Sequence, residues 1–517
     1  MTALHEDGRD ASLRVLVALA SYGTSNDRYL ERLIREYRSM PFDIDIVVFS
    51  NIDKSGRGVE CRVGTPAKNP WSLPFAHKPL FAERANKYDL FIYSEDDILI
   101  TEKNLRAFLD VTAVLQQDEI AGYLRIEKGS DGEENYPDIH ENFHWDSTSV
   151  RSRGRYTLAH LTNEHAACYV LTQAQLGTAI QSGGFLVDPH EGKYDLLCTA
   201  ATDPYTQCGL KKFVPVSHID DFTVHHLSNK YVGRVGISAA ELRDQTEALI
   251  RIAERWKTPC PLFNTETKLP RGLYSKDYYE PVSEDVISAI PPAARSVLSI
   301  GCGSGATEKR LIERGLRVVA MPLDPVVSSG AAARGVEMIY GGIDELATLA
   351  QGEKFDCFLC LNVLHLAHDP VAALSTLKDC LCDSSSVIIQ TPSMLSLRTI
   401  RQTFRDMPVL LGKGYSSTGV HLSTARAVKN WCTRAGMKVN RMIGTLNRQE
   451  TSRLGRIASA VGDFLPAPLA ISMATSIVVS ARRLPDERGQ LASQSIRAHD
   501  TRRALSSSEG ESRTAHF

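Results

Sequence analysis

An apolar run that opens into three alternating glycines, Val297-Leu-Ser-Ile-Gly-Cys-Gly-Ser-Gly305, narrows the folds open to this chain more than any other stretch. Ser296–Ile300 reads as a strand and Thr307–Arg314 as a helix. Glycines at such a junction let the backbone turn sharply and come close to a ligand. A lone G-x-G says little, but strand, G-x-G-x-G, helix and a second strand about twenty residues on says much more. Arg317–Ala320, Glu337–Ile339, Phe355–Leu361 and Ser386–Gln390 continue the series as apolar strand candidates. Strands alternating with helices imply a parallel α/β sheet.

The first half alternates in the same way. Val15–Ala20, Ile44–Ser50 and Asp89–Ser94 read as buried strands. Between the first two, Tyr29, Leu33 and Tyr37 recur at four-residue steps and predict one apolar helix face. Asn104–Leu115 is a further helix, capped by Thr101. Prolines and tyrosines crowd the stretch 258–292, the expected junction. With 517 residues the chain is long enough for several domains. The expected limits are a flexible tail at 1–11, one domain at 12–260, a linker at 261–292, a second domain at 293–484, and a disordered Ser- and Arg-rich tail at 485–517.

Charge and cysteine usage exclude some classes of function. Lys+Arg 59 against Asp+Glu 61 gives a net charge of −2, so nucleic acid is not an expected partner. Eleven cysteines in a long chain do not read as a secreted disulfide framework. Cys357 and Cys360 lie on one strand, where positions three apart face opposite ways, so buried thiols are expected there rather than zinc. The longest uncharged run, 464–481, carries Pro466 and Pro468 and reads as a loop and an apolar strand, with a membrane anchor as the alternative. The expectation is a soluble, cytoplasmic protein without a transmembrane segment.

The most chemical stretch is Asp89-Leu-Phe-Ile-Tyr-Ser-Glu-Asp-Asp-Ile98, a strand closing on three consecutive carboxylates. Such acids repel one another and call for a cation or strong donors. Mg²⁺ or Mn²⁺ suits carboxylate oxygens and can bridge a diphosphate. An acidic cap on the following helix is the other reading. Open α/β sheets bind ligands at strand C-termini, which favours a site.

Two family resemblances follow from these motifs. From Val297 to about Arg483 the chain resembles a class I S-adenosylmethionine-dependent methyltransferase. The resemblance lies in the glycine loop, Phe355-Asp-Cys-Phe-Leu-Cys-Leu-Asn-Val-Leu-His365, His368-Asp-Pro370, Val387–Pro392, and His421-Leu-Ser-Thr with the helix running to Gly436. It implies a Rossmann-like fold and S-adenosylmethionine held by Ser299, Gly301, Gly303, Gly305, Asp324 and Asn362. The family's usual acids are replaced by Ser299, Pro322 and Gly342, so either Asp324 and Asp344 substitute or the domain is structural. His365 and His368 are candidate bases, or polar residues at a strand edge.

From about Arg14 to Tyr231 the chain resembles a GT-A glycosyltransferase of the exostosin C-terminal group. The resemblance lies in Val15–Tyr22, Lys78–Tyr93, Ser94-Glu-Asp-Asp97 and Asn163-Glu-His-Ala-Ala-Cys-Tyr169. It implies a nucleotide-sugar donor and a metal held by Glu95 and Asp97, with Asp96 on the ribose or sugar and His225 or His226 completing the shell. Lys78 and Arg84 are candidates to offset diphosphate charge. Glu191, Asp195 and Asp203 are candidates for the base that takes the acceptor's proton. Each residue also has a structural reading: a helix cap, a loop acid or an exposed strand end. Trp71 either stacks on a sugar or anchors its loop.

The combined expectation is a two-domain α/β transferase, metal-dependent in glycosyl transfer and S-adenosylmethionine-dependent in methylating a glycan or small molecule. Its alternatives are a glycosyltransferase with an inactive methyltransferase-like scaffold, or a methyltransferase beside a glycan-binding module.

Overall fold

A computed structural model describes residues 13–254, 262, 265–394, 414–445 and 474–484. Both expected tails, and positions 464–473 of the uncharged run, lie outside the described residues.

The first half opens with a five-stranded sheet in the order Cys168–Thr172, Leu90–Glu95, Arg14–Ala20, Asp43–Ser50, Glu60–Val63. All neighbours are parallel except Cys168–Thr172, which runs antiparallel to Leu90–Glu95. Val15 through Leu19 are fully buried, as a strand covered on both faces requires. Helix Asp27–Ser39 covers this sheet through Leu30, Leu33, Ile34 and Tyr37. Its buried stripe is centred on Leu30, so Tyr29 of the expected face is only half-buried. Helix Glu102–Thr112 starts at Thr101 in a reciprocal cap with Asn104.

Two further sheets of short strands complete this half, one of four strands and one of five. The sequence did not announce them, because strands such as Glu119–Ala121 are too short to show a period. Helix Ala239–Ala253 packs behind them, where Gln245 accepts a 3.1 Å hydrogen bond from the buried Trp145 indole.

The second half is a seven-stranded sheet in the order Glu337–Met338, Arg317–Pro322, Ser296–Cys302, Phe355–Leu361, Leu381–Pro392, Ser476–Arg483, Met437–Thr445. The first five are parallel, and Ser476–Arg483 is antiparallel to both of its neighbours. The expected strands and the helix after the glycine loop, Ala306–Glu313, are all present. Cys357 and Cys360 are buried in separate apolar clusters on opposite faces of this sheet. Among the described residues no helix is long and apolar enough to cross a membrane.

The halves share an interface. Val326 of the second half belongs to the apolar core of the first, and Tyr279 packs against the cores of both. Arg334 pairs with Asp244 at 3.5 Å, and Arg271 with Glu191 at 2.6 Å.

Candidate functional site

The glycine-loop strand ends at Cys302, and the chain turns through Gly303, Ser304 and Gly305 into helix Ala306–Glu313. Gly301 and Gly305 have φ of +78° and +75°, in the left-handed region that favours glycine. A Cβ on Gly301 would lie 2.5 Å from Val363 Cγ1, and one on Gly303 2.3 Å from the Tyr278 carbonyl oxygen. The close approaches at Gly301 and Gly303 are thus made by the chain's own Val363 and Tyr278, with segment 276–280 packed on the loop. The Tyr278 carbonyl accepts a 2.7 Å hydrogen bond from Ser304 N–H, and the Tyr278 N–H donates to the Glu141 carbonyl of the first half at 2.8 Å.

A cavity of about 680 Å³ opens beside the loop. Its wall includes Thr307 of the following helix, Leu361 and Asn362 at the end of the fourth strand, and Gln390 and Pro392 of the fifth. Asp277, Glu280, Glu284, Asp285 and His365 also face it. Glu280 is held by Lys276 and by Asn362 Nδ2 at 2.7 Å, and Lys276 also donates to the Leu361 carbonyl at 2.7 Å. Burial raises the Glu280 carboxyl above its ordinary value, against the pull of Lys276.

The other expected donor contacts are placed as follows. Ser299 donates its hydroxyl to buried Glu308 at 2.6 Å. Asp324 is buried, and its Oδ1 accepts from the N–H groups of Val326 and Val327 at 2.7 and 2.8 Å. Asp344 is exposed. The cradle thus fits a methyl donor at its amino-acid end, around the glycine loop, Glu280 and Asn362. Glu280 falls within the expected linker 261–292; the signal that marks it is the pair of charges four apart in Lys276-Asp-Tyr-Tyr-Glu280, just ahead of the glycine strand.

The acidic triplet of the first half splits in direction. Glu95 and Asp96 line a cleft of about 270 Å³ with Tyr22, Asn26, Trp71 and Leu197. Asp96 accepts from Ser21 Oγ at 2.6 Å and from Asn26 Nδ2 at 2.7 Å. Asp97 turns inward to His226 Nε2 at 3.1 Å, and His226 Nδ1 meets Glu127 at 2.6 Å. Although burial opposes its ionisation, His226 and Lys230 hold the Asp97 carboxyl below its ordinary value.

This geometry corrects the expected metal shell. Both ring nitrogens of His226 already have protein partners, Nδ1 at Glu127 and Nε2 between Asp97 and Ser228 Oγ at 2.8 Å. His225 faces Asn229 Oδ1 at 3.1 Å. Among the described residues no group of three or more His, Cys, Asp or Glu side chains is arranged to hold a metal. The expected phosphate contacts are corrected too. Lys78 is buried and ion-paired with Asp203, itself an expected base, and Arg84 binds Glu60 at 2.9 Å. Neither cation lines the cleft. Asp195 caps helix Leu196–Thr206 through Cys198 N–H, and Glu191 pairs with Arg271. The candidate bases are therefore spent on structure.

Burial first, and then the Asp97 charge, push the Glu95 carboxyl up to about 8, although Arg125 and Lys230 favour its ionisation. Folded Glu95 thus keeps a proton that the unfolded chain releases near 4.5. Stability attributable to it is complete below that value and is lost as pH rises towards about 8. Glu95→Gln should flatten this fall. Paired thermal melts across the window check it, and an unchanged pH difference between wild type and variant would contradict it.

Comparison with known proteins bears on the second half. Residues 276–441 match the family model described as a methyltransferase domain. A tRNA U34 carboxymethyltransferase of Campylobacter hominis is 29% identical over 182 residues, covering 33% of this chain and 61% of that protein. A ubiquinone biosynthesis O-methyltransferase of Xanthomonas axonopodis pv. citri is 25% identical over 177 residues, covering 32% of this chain and 72% of that protein. A solved S-adenosylmethionine-dependent methyltransferase from Mesorhizobium loti shares 18% identity, with a TM-score of 0.29 over 39% of this chain and 96% of that one. Residues 276–441 of the second half therefore carry a methyltransferase domain, similar to those of S-adenosylmethionine-dependent enzymes. The chain spans about three fifths of the length of the Campylobacter relative.

Proposed function

We propose that the second half transfers a methyl group from S-adenosylmethionine to an acceptor seated in the 680 Å³ cavity. The observation that carries the reading is the meeting of that cavity with the end of the fourth strand and the start of the glycine-loop helix, at Leu361, Asn362 and Thr307. The donor supplies an electrophilic methyl on a sulfonium, whose departure leaves a neutral thioether. Gly301, Gly303 and Gly305 give the backbone approach, Asn362 and Glu280 hold the amino-acid end, and Asp324 stands on the ribose side. In this reading the cavity wall orients the acceptor and excludes water, which shortens the path to attack. The relatives are named for carboxymethyl transfer at tRNA U34 and for O-methyl transfer in ubiquinone biosynthesis, and the acceptor here is a glycan or another small molecule. The second working unit takes in residues 276–292 of the expected linker, since the family match begins there and the cavity wall draws on that stretch.

The test is calorimetric titration of the full chain with S-adenosylhomocysteine. Saturable one-to-one heat with a Kd in the micromolar range, about −8 kcal/mol, is expected. No heat at millimolar ligand would leave the domain a scaffold.

A second reading, glycosyl transfer from a nucleotide-sugar, belongs to the first half. Two observations favour it: three parallel connections around Arg14–Ala20 with one antiparallel neighbour at the acidic strand, and a cleft at the C-terminal end of that strand bearing Glu95, Asp96 and half-exposed Trp71 and Tyr22. This reading does without the metal shell. Two transferases on one chain raise the local concentration of a shared acceptor.

A further inference from the structure

We propose that the 680 Å³ cavity binds its ligand through an ammonium group, so that the molecule methylated is cationic; the ammonium anchors it, and a separate neutral atom with a lone pair takes the methyl. The inference rests on the methyl-transfer reading for the ligand's role as acceptor, but not for its charge.

Four carboxylates face the cavity, Asp277, Glu280, Glu284 and Asp285, and among the described residues no lysine or arginine lines it. Two are compensated from behind the wall, Glu280 by Lys276 and Glu284 by Arg314 at 3.3 Å. Asp277 accepts the Tyr279 N–H at 2.8 Å, which leaves its charge unbalanced. Among the described residues no ion pair reaches Asp277 or Asp285. Helix capping explains Glu284 and Asp285, which sit in the first turn of Glu284–Ala289. It does not explain Asp277 or Glu280, which precede that helix.

An independent feature points the same way. The His365 ring is part of the cavity wall and is only 1% exposed. Its Nε2 lies 3.0 Å from the Tyr274 carbonyl and must donate to it. Burial pushes this imidazole down to about 4, so the ring is neutral and Nδ1 carries a lone pair. Among the described residues that Nδ1 has no hydrogen-bond partner. A buried acceptor without a donor calls for an incoming N–H or O–H. An ammonium brings three donors and a positive charge, and so answers both the lone pair and the unbalanced acids. The donor's own amino group does not exhaust them: it is served at Glu280 and Asn362, and Asp277 and Asp285 stay free for a second cation.

The test is calorimetry on the full chain saturated with S-adenosylhomocysteine, using 1,4-diaminobutane, 1,4-butanediol and succinate as probes of one chain length and three charges. The diamine should bind at least about tenfold more tightly than the diol, and succinate should not bind. Asp277→Asn and, independently, exposed Asp285→Asn should each weaken the diamine by about threefold or more. S-adenosylhomocysteine titrated into the same samples reports whether the glycine loop is folded. Equal or tighter binding of the diol or succinate overturns the proposal, as does the absence of saturable diamine heat. Diamine binding without S-adenosylhomocysteine binding supports the ammonium site and removes the methyl-transfer reading.

Discussion

Lys78→Met should lower the stability of the first half by about 3–5 kcal/mol, the range for stripping one partner from a buried ion pair. Lys78 on helix His77–Glu83 and Asp203 on helix Leu196–Thr206 are both essentially inaccessible to water, at 1% and 0%. The ammonium also lies 4.6 Å from the Phe75 ring centre, so little else can solvate it. Burial lowers the lysine's proton affinity and raises that of the aspartate, while each partner opposes the other's shift. Remove the lysine and Asp203 keeps His190, 3.4 Å from its Oδ1, in a site closed off from solvent. The carboxylate must then take up a proton or open the packing. For a unit of this size the loss corresponds to a fall of roughly 6–20 °C in melting temperature. The double variant Lys78→Met with Asp203→Leu removes both charges and should recover most of the loss, since well-packed apolar pairs often match buried ion pairs. Thermal melts of the three chains decide it. A single variant within about 1 kcal/mol of wild type would mean that the pair is hydrated in solution.

That pair also shows where sequence reading stops. Strands such as Val15–Ala20 and Phe355–Leu361 were legible because burial on both faces forces continuous apolar runs, which composition alone displays. The helix on the first sheet was legible from its period, to within one residue of its buried face. The glycine loop was legible because its backbone conformation restricts residue type. Side-chain partners were not. Lys78 and Asp203 are 125 positions apart, and His226 meets Glu127 across 99, so nothing local distinguishes a phosphate-binding lysine from a structural one. The triplet 95–97 failed as a cluster for a related reason. The strand ends at Glu95 and the chain turns through Asp96 and Asp97, so strand alternation no longer sets their directions: Glu95 and Asp96 reach the cleft while Asp97 is drawn to a histidine on another sheet. The segment 276–280 was hidden by its setting, because proline-rich surroundings marked it as linker although its backbone is part of the glycine loop's packing.

Gly303→Ala tests that last arrangement directly. Gly303 has no left-handed φ, so alanine costs nothing in backbone conformation there, and any effect must come from contact. The new Cβ would meet the Tyr278 carbonyl oxygen at 2.3 Å, its carbon at 2.9 Å and Cα at 3.0 Å. Backbone cannot swing aside as a side-chain tip can, so segment 276–280 must move away. Moving it breaks the bond from Ser304 N–H and tilts the Tyr278 peptide off Glu141, which removes the strut between the halves. It also carries Glu280 away from Asn362. Loss of one well-buried hydrogen bond costs about 1–3 kcal/mol. The expected result is a comparable loss of stability and a fall of at least about tenfold in S-adenosylhomocysteine affinity. Gly56→Ala is the matched control: it too lacks a left-handed φ, and its added Cβ would meet nothing within 4 Å, so both quantities should stay near wild type. If Gly303→Ala binds and melts like that control, segment 276–280 gives way without consequence and the first half has no hold on the donor loop.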